Sequence, residues 1–353
     1  AIRRQRQMCI RDRNTSKLYR MEQFVDNFPK EEAHLTGEEI HRRLDQIEKI
    51  HTLYSPAKLG LASALACCAF TFLLGGGPVE MILAFIAAGV GNVIRTKMIK
   101  HHFTLFFNIA VSISAACMTY AICFHLAEIF FHVSALHEAG YICSMLFIIP
   151  GFPFITSGID LAKLDLRSGL ERLSYSVIIV LVATMFAWIM ALLLHFHPQD
   201  FSALNLAVGT KLILRIITSF CGVFGFSIMF NSSVPMAATA ACIGAVANTL
   251  RLELVDYTST PPAAAAFAGA LTAGLLASII KRNNGYPRIS LTVPSIVIMV
   301  PGLYLYRAFY NLGIMSLTEA VSWFSSAIMI IITLPLGLIF ARILTDRTFR
   351  YCT

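Results

Sequence analysis

The chain has 353 residues, of which 57% are apolar and 14% charged, with a mean hydropathy of +0.69 and a formal net charge of +8. A soluble domain carries about a quarter of charged residues, so this composition excludes a soluble globular fold and indicates a polytopic membrane protein. The basic residues gather in short loops and at the chain ends, where they set membrane orientation and give no argument for a nucleic-acid partner.

Residues 1–13 are basic but lack the apolar core that follows the charges of a signal peptide, and they read as a non-native leader. Residues 14–56 are polar and helix-prone and form a short cytoplasmic amphipathic helical segment. Thr36 and Glu39 have capping-box spacing, opening a helix whose stripe of Ile40, Leu44, Ile47 and Ile50 would pack on a partner or on the membrane face. Tyr54-Ser55-Pro56 ends that segment.

Ten apolar segments follow, at about 57–74, 78–94, 103–126, 139–159, 170–194, 207–230, 235–250, 261–280, 289–306 and 318–343. Each approaches the ~17–25 residues that a transmembrane helix needs. They divide into a first five-helix repeat, 57–200, and a second, 201–353. Glu80, just after Gly75-Gly76-Gly77-Pro78, reads as a solvated acid at a helix start. Cys67, Cys68, Cys117, Cys123, Cys143, Cys221 and Cys242 fall in or beside apolar segments without CxxC spacing. They read as buried free thiols, and neither metal nor cofactor is expected. His125, His132, His137, His195 and His197 fall in or beside the outer loops, as solvated side chains or sensors of external pH.

Basic residues Arg95, Lys97 and Lys100 follow span two, Lys163, Arg167 and Arg172 follow span four, Lys281, Arg282 and Arg288 follow span eight, and Arg342, Arg347 and Arg350 follow span ten. Lys and Arg mark the cytoplasmic side, so both termini are expected there, in the cytoplasmic membrane of a prokaryote. The run Ala87 to Arg95 aligns with Ile243 to Arg251, placing Asn92 on Asn248, 156 positions later, and Phe70-Thr71 on Phe226-Ser227. Five spans per half is an odd number, so the second half would insert upside down. Inverted repeats with discontinuous helices are the architecture of secondary transporters, with the site near the midplane.

The discontinuities are Pro150-Gly151-Phe152-Pro153 and Pro301-Gly302. Proline has no N–H for the carbonyl four residues back, so Pro150 would free the carbonyl of Leu146 and Pro153 that of Ile149. Such backbone is tolerated in a bilayer only against protein or a wet cavity. Pro153, Ser157 and Asp160 share one helical face. Freed carbonyls and Ser157 are candidates for a substrate ammonium, and half-helix N-termini for its carboxylate. Asp160 is the candidate proton-coupling group, or an interfacial acid paired with Lys163. Asn92 and Asn248 either line the path or hydrogen-bond between helices. Arg95 and Arg251 would snorkel to opposite interfaces. Arg307 is a weaker candidate for a substrate carboxylate, or an anchor beside Tyr304 and Tyr306.

These motifs resemble the threonine/serine exporter family. The run Leu35-Thr36-Gly37-Glu38-Glu39 to Tyr54-Ser55-Pro56, with Pro150-Gly151-Phe152-Pro153, Asp160 and Ser168-Gly169-Leu170, is similar to its first region. Gly225-Phe226, Asn248 with Arg251, Val300-Pro301-Gly302 and Tyr306-Arg307 are similar to its second, fused here in one chain. The region before Leu35 is shorter than the family's and reads as truncated, and Thr156 stands where the family often carries an amide. The resemblance implies export of small polar amino acids by proton antiport, with Pro150, Gly151, Pro153, Thr156, Ser157, Pro301 and Gly302 near the substrate. The partners implied are small amino acids, protons and lipid, with a homo-oligomer left open. The rivals are an intramembrane enzyme and a channel-like permease without proton coupling. No HExxH, GxSxG or paired-aspartate motif lies in the spans, and no GxxxxGK[ST] loop marks an ATP-driven pump.

Overall fold

The computed structural model describes residues 14–28, 35–50, 52–132, 140–196, 201, 204 and 206–350. The leader, His137 and His197 lie outside them. The described residues are helical, with no strand among them. The helices are α1 (Thr15–Asn27), α2 (Gly37–Glu48), α3 (Pro56–Leu73), α4 (Pro78–Lys100), α5 (Leu105–Phe131), α6 (Tyr141–Ser144), α7 (Gly151–Ala162) and α8 (Leu166–Leu194). They continue as α9 (Val208–Met229), α10 (Val234–Thr258), α11 (Pro262–Asn284), α12 (Arg288–Val297), α13 (Gly302–Gly313), α14 (Leu317–Thr345) and α15 (Arg347–Arg350). A 3₁₀ turn, Leu146–Ile148, joins α6 to α7.

Eight helices are long and apolar enough to cross a bilayer. Two bent pairs, Tyr141–Ile148 with Gly151–Ala162 at 51° and Arg288–Val297 with Gly302–Gly313 at 47°, bring the number to ten if each pair is one span. Large apolar side chains such as Ile82, Phe106, Ile129, Leu193, Ile213 and Met329 stand exposed along these helices. In water such a surface would aggregate, whereas hydrocarbon accepts it. This is a multi-pass membrane protein.

Because lipid gives apolar residues no reason to leave it, the helices associate through small residues that let backbones approach. Ala62, Ala66 and Ala69 on α3 meet Gly222 and Gly225 on α9, where a Cβ on Gly225 would strike the Ala62 carbonyl. Along α11 and α14, Ala270 faces Gly337 and Gly274 faces Ala341. Helix pairs within the first half include α3 with α4, α4 with α5, α5 with α8, and α7 with α8. In the second half α9 packs on α10, α10 on α11, α11 on α14, and α13 on α14. Between halves α3 meets α9, α7 meets α14, and α8 meets α13.

The segment before α3 forms two helices where the sequence suggested one. Thr36 caps α2 as expected: its N–H donates to Glu39 Oε2 at 3.0 Å, and Glu39 N–H donates to Thr36 Oγ1 at 3.4 Å. The bonds from the Thr36 backbone and hydroxyl hold the Glu39 carboxyl below the usual carboxylate range. None of α2 is buried, so its apolar stripe stays partly open. In contrast, Asn14 and Thr15 at the start of α1 are buried against the turn between α9 and α10. That turn has Asn231 in the left-handed region (φ 61°), where its side chain can serve two segments at once. Its amide donates to Asn14 Oδ1 at 2.7 Å and its Oδ1 accepts from Leu53 N–H at 2.7 Å.

Candidate functional site

The two breaks have the same backbone. Pro150 lies at φ −81°, ψ 59° and Pro301 at φ −81°, ψ 57°. Both pairs of angles place the proline at the centre of an inverse γ-turn. Its hydrogen bond is present each time: Gly151 N–H donates to Ile149 O and Gly302 N–H to Val300 O, both at 2.8 Å. A new helix starts at once, Phe154 N–H reaching Pro150 O and Leu305 N–H reaching Pro301 O at 3.1 Å.

This geometry corrects the expectation of freed carbonyls. Leu146 O accepts from Ile149 N–H at 3.2 Å, and Ile149 O already serves the γ-turn. Pro153 breaks nothing: it is the third residue of α7, in the first turn, where a missing N–H costs no bond. The ladder is repaired locally because an unpaired carbonyl is too costly in a dry interior.

The two turns touch. A Cβ on Gly151 would lie 2.5 Å from Val297 Cγ2, and one on Gly302 3.0 Å from Leu146 Cδ2. A Cβ at Gly151 would force Val297 to shift, whereas at Gly302 the tip of Leu146 would have to give by only a few tenths of an ångström. Between them remains a void of about 20 Å³, lined by Leu146, Ile149 and Gly151 on one side and Val297, Val300 and Gly302 on the other. Phe70 and Phe226 close it edge to face, with centroids 6.4 Å apart. Such a void holds about one water, since one needs ~10–15 Å³.

The other candidate residues divide. Thr156 and Ser157 are buried, and each hydroxyl donates into its own helix, Thr156 to Phe152 O at 3.0 Å and Ser157 to Phe154 O at 2.8 Å. Asn92 donates to Leu59 O at 2.8 Å, tying α4 to α3. Asn248 donates to Ser219 Oγ at 2.9 Å, tying α10 to α9. The two amides occupy matching interhelical places. Asp160 forms its ion pair with Arg172 on α8, at 2.6 Å, rather than with Lys163 three residues on. Arg307 stacks its guanidinium over Trp323, 4.8 Å from the ring centroid.

Several features had no reading of this kind in the sequence. Arg95 does not snorkel but donates to Phe147 O at 3.1 Å, beside the first break. Arg251 is also turned inward, and its Nε is buried. Glu80 is fully buried rather than solvated, with its Oε2 accepting from Gly77 N–H at 2.9 Å. Tyr141 and Tyr306 join through buried hydroxyls 2.6 Å apart, 165 positions apart in sequence, a pairing no local pattern announces. Cys67, Cys117 and Cys143 are buried as expected, but Cys242 is exposed.

Two larger cavities lie along α14, one of them against the second break. One of about 540 Å³ is lined by Lys163, Arg288, Arg342 and Asp346, where α7, α11 and α14 end and α12 begins. The other, of about 230 Å³, is lined by Val300-Pro301-Gly302 with Arg251, Tyr304, Arg307 and Trp323, where α10 ends and α14 begins. They lie at opposite ends of α14. Among the described residues no cluster of His, Cys, Asp and Glu could hold a metal ion.

Residues 1–195 match a family model described as "Putative threonine/serine exporter", and residues 215–344 match a second, "Threonine/Serine exporter, ThrE". No curated protein and no solved structure matches the chain. The chain belongs to the threonine/serine exporter family, with both regions side by side in one polypeptide.

Proposed function

We propose that this member of a family of amino-acid exporters moves threonine and serine out across the cytoplasmic membrane of a prokaryote by proton antiport. One observation carries the reading. The two proline turns meet in a closed contact, while a cavity of about 230 Å³ lies against the second turn and another of about 540 Å³ lies toward the other end of α14. A contact that admits one water excludes an amino acid, so passage requires the turns to part. That is the requirement of alternating access, and it disfavours an open channel.

We read the two halves as inverted repeats. The reading is supported by equal turns at Pro150 and Pro301, by Asn92 and Asn248 in matching places, and by helix pairs that recur half against half. Both termini then lie in the cytoplasm, and the larger cavity, lined by Arg288 and Arg342, opens there. Pro150, Gly151, Pro301 and Gly302 act as facing hinges. Pro153 shapes the first turn of α7, and the backs of Thr156 and Ser157 line its approach. Asp160 is the coupling group: protonation would release Arg172, and the broken pair would loosen α7 from α8. Arg307, held over Trp323, would add positive charge near the substrate carboxylate.

Efflux of labelled threonine from loaded proteoliposomes under an imposed proton gradient tests this. Gradient-driven export is expected, and absence of flux for every small amino acid would sink the reading. Asp160→Asn should lose gradient-driven export and keep counterflow exchange. Single cysteines at Pro78 and Gly285 in a cysteine-free background should label from opposite sides, and labelling from one side refutes the inverted arrangement.

A further inference from the structure

We propose that the smaller cavity, under Val300-Pro301-Gly302, is a carboxylate site built on Arg251, which takes the carboxylate of the exported amino acid. The proposal rests on the exporter reading for the identity of its ligand, and on geometry for the site. Arg251 lines the cavity, and its buried Nε has no hydrogen-bond partner. Among the described residues it makes no ion pair. The acids nearest in sequence are taken: Glu253 pairs with Arg215 at 2.8 Å, and Asp256 with Arg215 at 2.6 Å and Lys211 at 2.7 Å.

The matching arginine of the first half shows what is unusual. Arg95 spends its guanidinium on Phe147 O at the first break. At the second break Arg251 is left facing a hollow. An ionised side chain at membrane depth is retained with a partner, in protein or ligand. A guanidinium presents a fork that matches a carboxylate with two parallel hydrogen bonds. The surroundings fit a small monoanion. Drug-sized ligand pockets start at about 300 Å³, so this cavity suits a smaller guest. Arg307 lines the same cavity and is fixed on Trp323, adding a second positive charge to the field.

The site carries its own reporter. The chain has two tryptophans, and Trp323 lines the cavity. Trp188 Nε1 has no hydrogen-bond partner, so Trp188→Phe loses no bond and leaves Trp323 as the sole tryptophan, read by excitation at wavelengths that tyrosine does not absorb. Purified Trp188→Phe protein is titrated with L-threonine, lactate and L-threonine methyl ester while emission is followed. Threonine and lactate, each with a carboxylate, should give saturable changes, and the ester none. Adding Arg251→Gln should weaken both responses at least tenfold, as expected for loss of a charge-assisted pair. Arg251→Lys, which keeps the charge without the fork, should fall between, and elution at the parent's position in size exclusion shows that the variants fold.

An ester response equal to that of threonine, or an unchanged response in Arg251→Gln, overturns the proposal. Transport separates it from the exporter reading. If carboxylates titrate through Arg251 while proteoliposomes move no amino acid, the site stands and the exporter reading falls. If threonine is exported and Arg251→Gln exports it with unchanged KM, the site falls alone.

Discussion

The two helix breaks share one backbone and differ in almost everything that surrounds it. At the first, Arg95 holds the Phe147 carbonyl, Asp160 is locked to Arg172, and Thr156 is bonded back onto its helix. Around the second, Arg251 faces a cavity, Asn311 donates to Arg307 O where the first half has its acid, and Arg307 lies on Trp323. Backbone repair is therefore the common device, because any chain broken in hydrocarbon must satisfy its polar groups. Charge is not shared. One break is braced by completed polar contacts and the other keeps an arginine in reserve, a division that fits anchoring in the first half and ligand capture in the second.

The sharpest way to break this comparison is to crowd the contact between turns. Gly151→Ala would put its Cβ closer to its neighbour than Gly302→Ala would, 2.5 Å against 3.0 Å. Overpacking costs about 1–3 kcal/mol, and thermal unfolding in detergent should place Gly151→Ala near the top of that range and Gly302→Ala below it. Equal midpoints would mean that the turns give way alike.

Next in size is the arginine pair. Arg95→Gln loses a charge-assisted bond worth about 1.5–3 kcal/mol, whereas Arg251→Gln has no such bond to lose and should unfold near the parent. Denaturation of both variants side by side decides it, and a greater loss in Arg251→Gln would contradict the contrast. The ion pair of the first half follows. Its side chains are 18% and 19% exposed, so Asp160→Asn should cost about 1–2 kcal/mol, below the ~3–5 kcal/mol of a fully buried pair. Asp160→Asn with Arg172→Gln should recover part of that loss, and a double variant worse than the single would rule out the pairing as its cause.

Smaller still is the matched amide pair. Asn92→Ala and Asn248→Ala should each cost about 0.6 kcal/mol, the average for polar contacts between membrane helices. Equal small losses with unimpaired export would assign both to helix packing, while loss of export at unchanged stability would return them to the path. The least effect lies outside the bundle. The depressed carboxyl of Glu39 stabilises α2 above the unfolded-state value of about 4.3. That contribution fades as pH falls through the lower folded-state value. Glu39→Gln should therefore flatten the acid side of the helical signal while leaving neutral pH little changed.

Local backbone chemistry was largely legible from residues alone. The positions of the apolar segments, the capping box at Thr36, the two proline breaks and the alignment of Asn92 with Asn248 all follow from patterns within a few residues or from one comparison of the halves. Roles that depend on who stands opposite were not. Sequence spacing offers Asp160 only Lys163, three positions on, yet its partner is Arg172 on the next helix. Arg95 and Arg251 both sit near span ends, where snorkelling is the usual outlet for a long cation, and both turn inward instead. Glu80 stands at a helix start, a place that suggests solvation, and is buried by neighbours distant in sequence.

By itself the sequence determined that this chain lives in a bilayer, where it bends and to which family it belongs, since composition, proline and glycine act through the covalent chain. Only the tertiary structure decided that the bends touch, that their carbonyls are already satisfied and that one of two equivalent arginines is left facing a cavity. Those outcomes depend on packing between segments from opposite halves of the chain, as between Gly151 and Val297 or Gly302 and Leu146. Side-chain contacts across such a separation are set by helix placement, which no short-range pattern encodes.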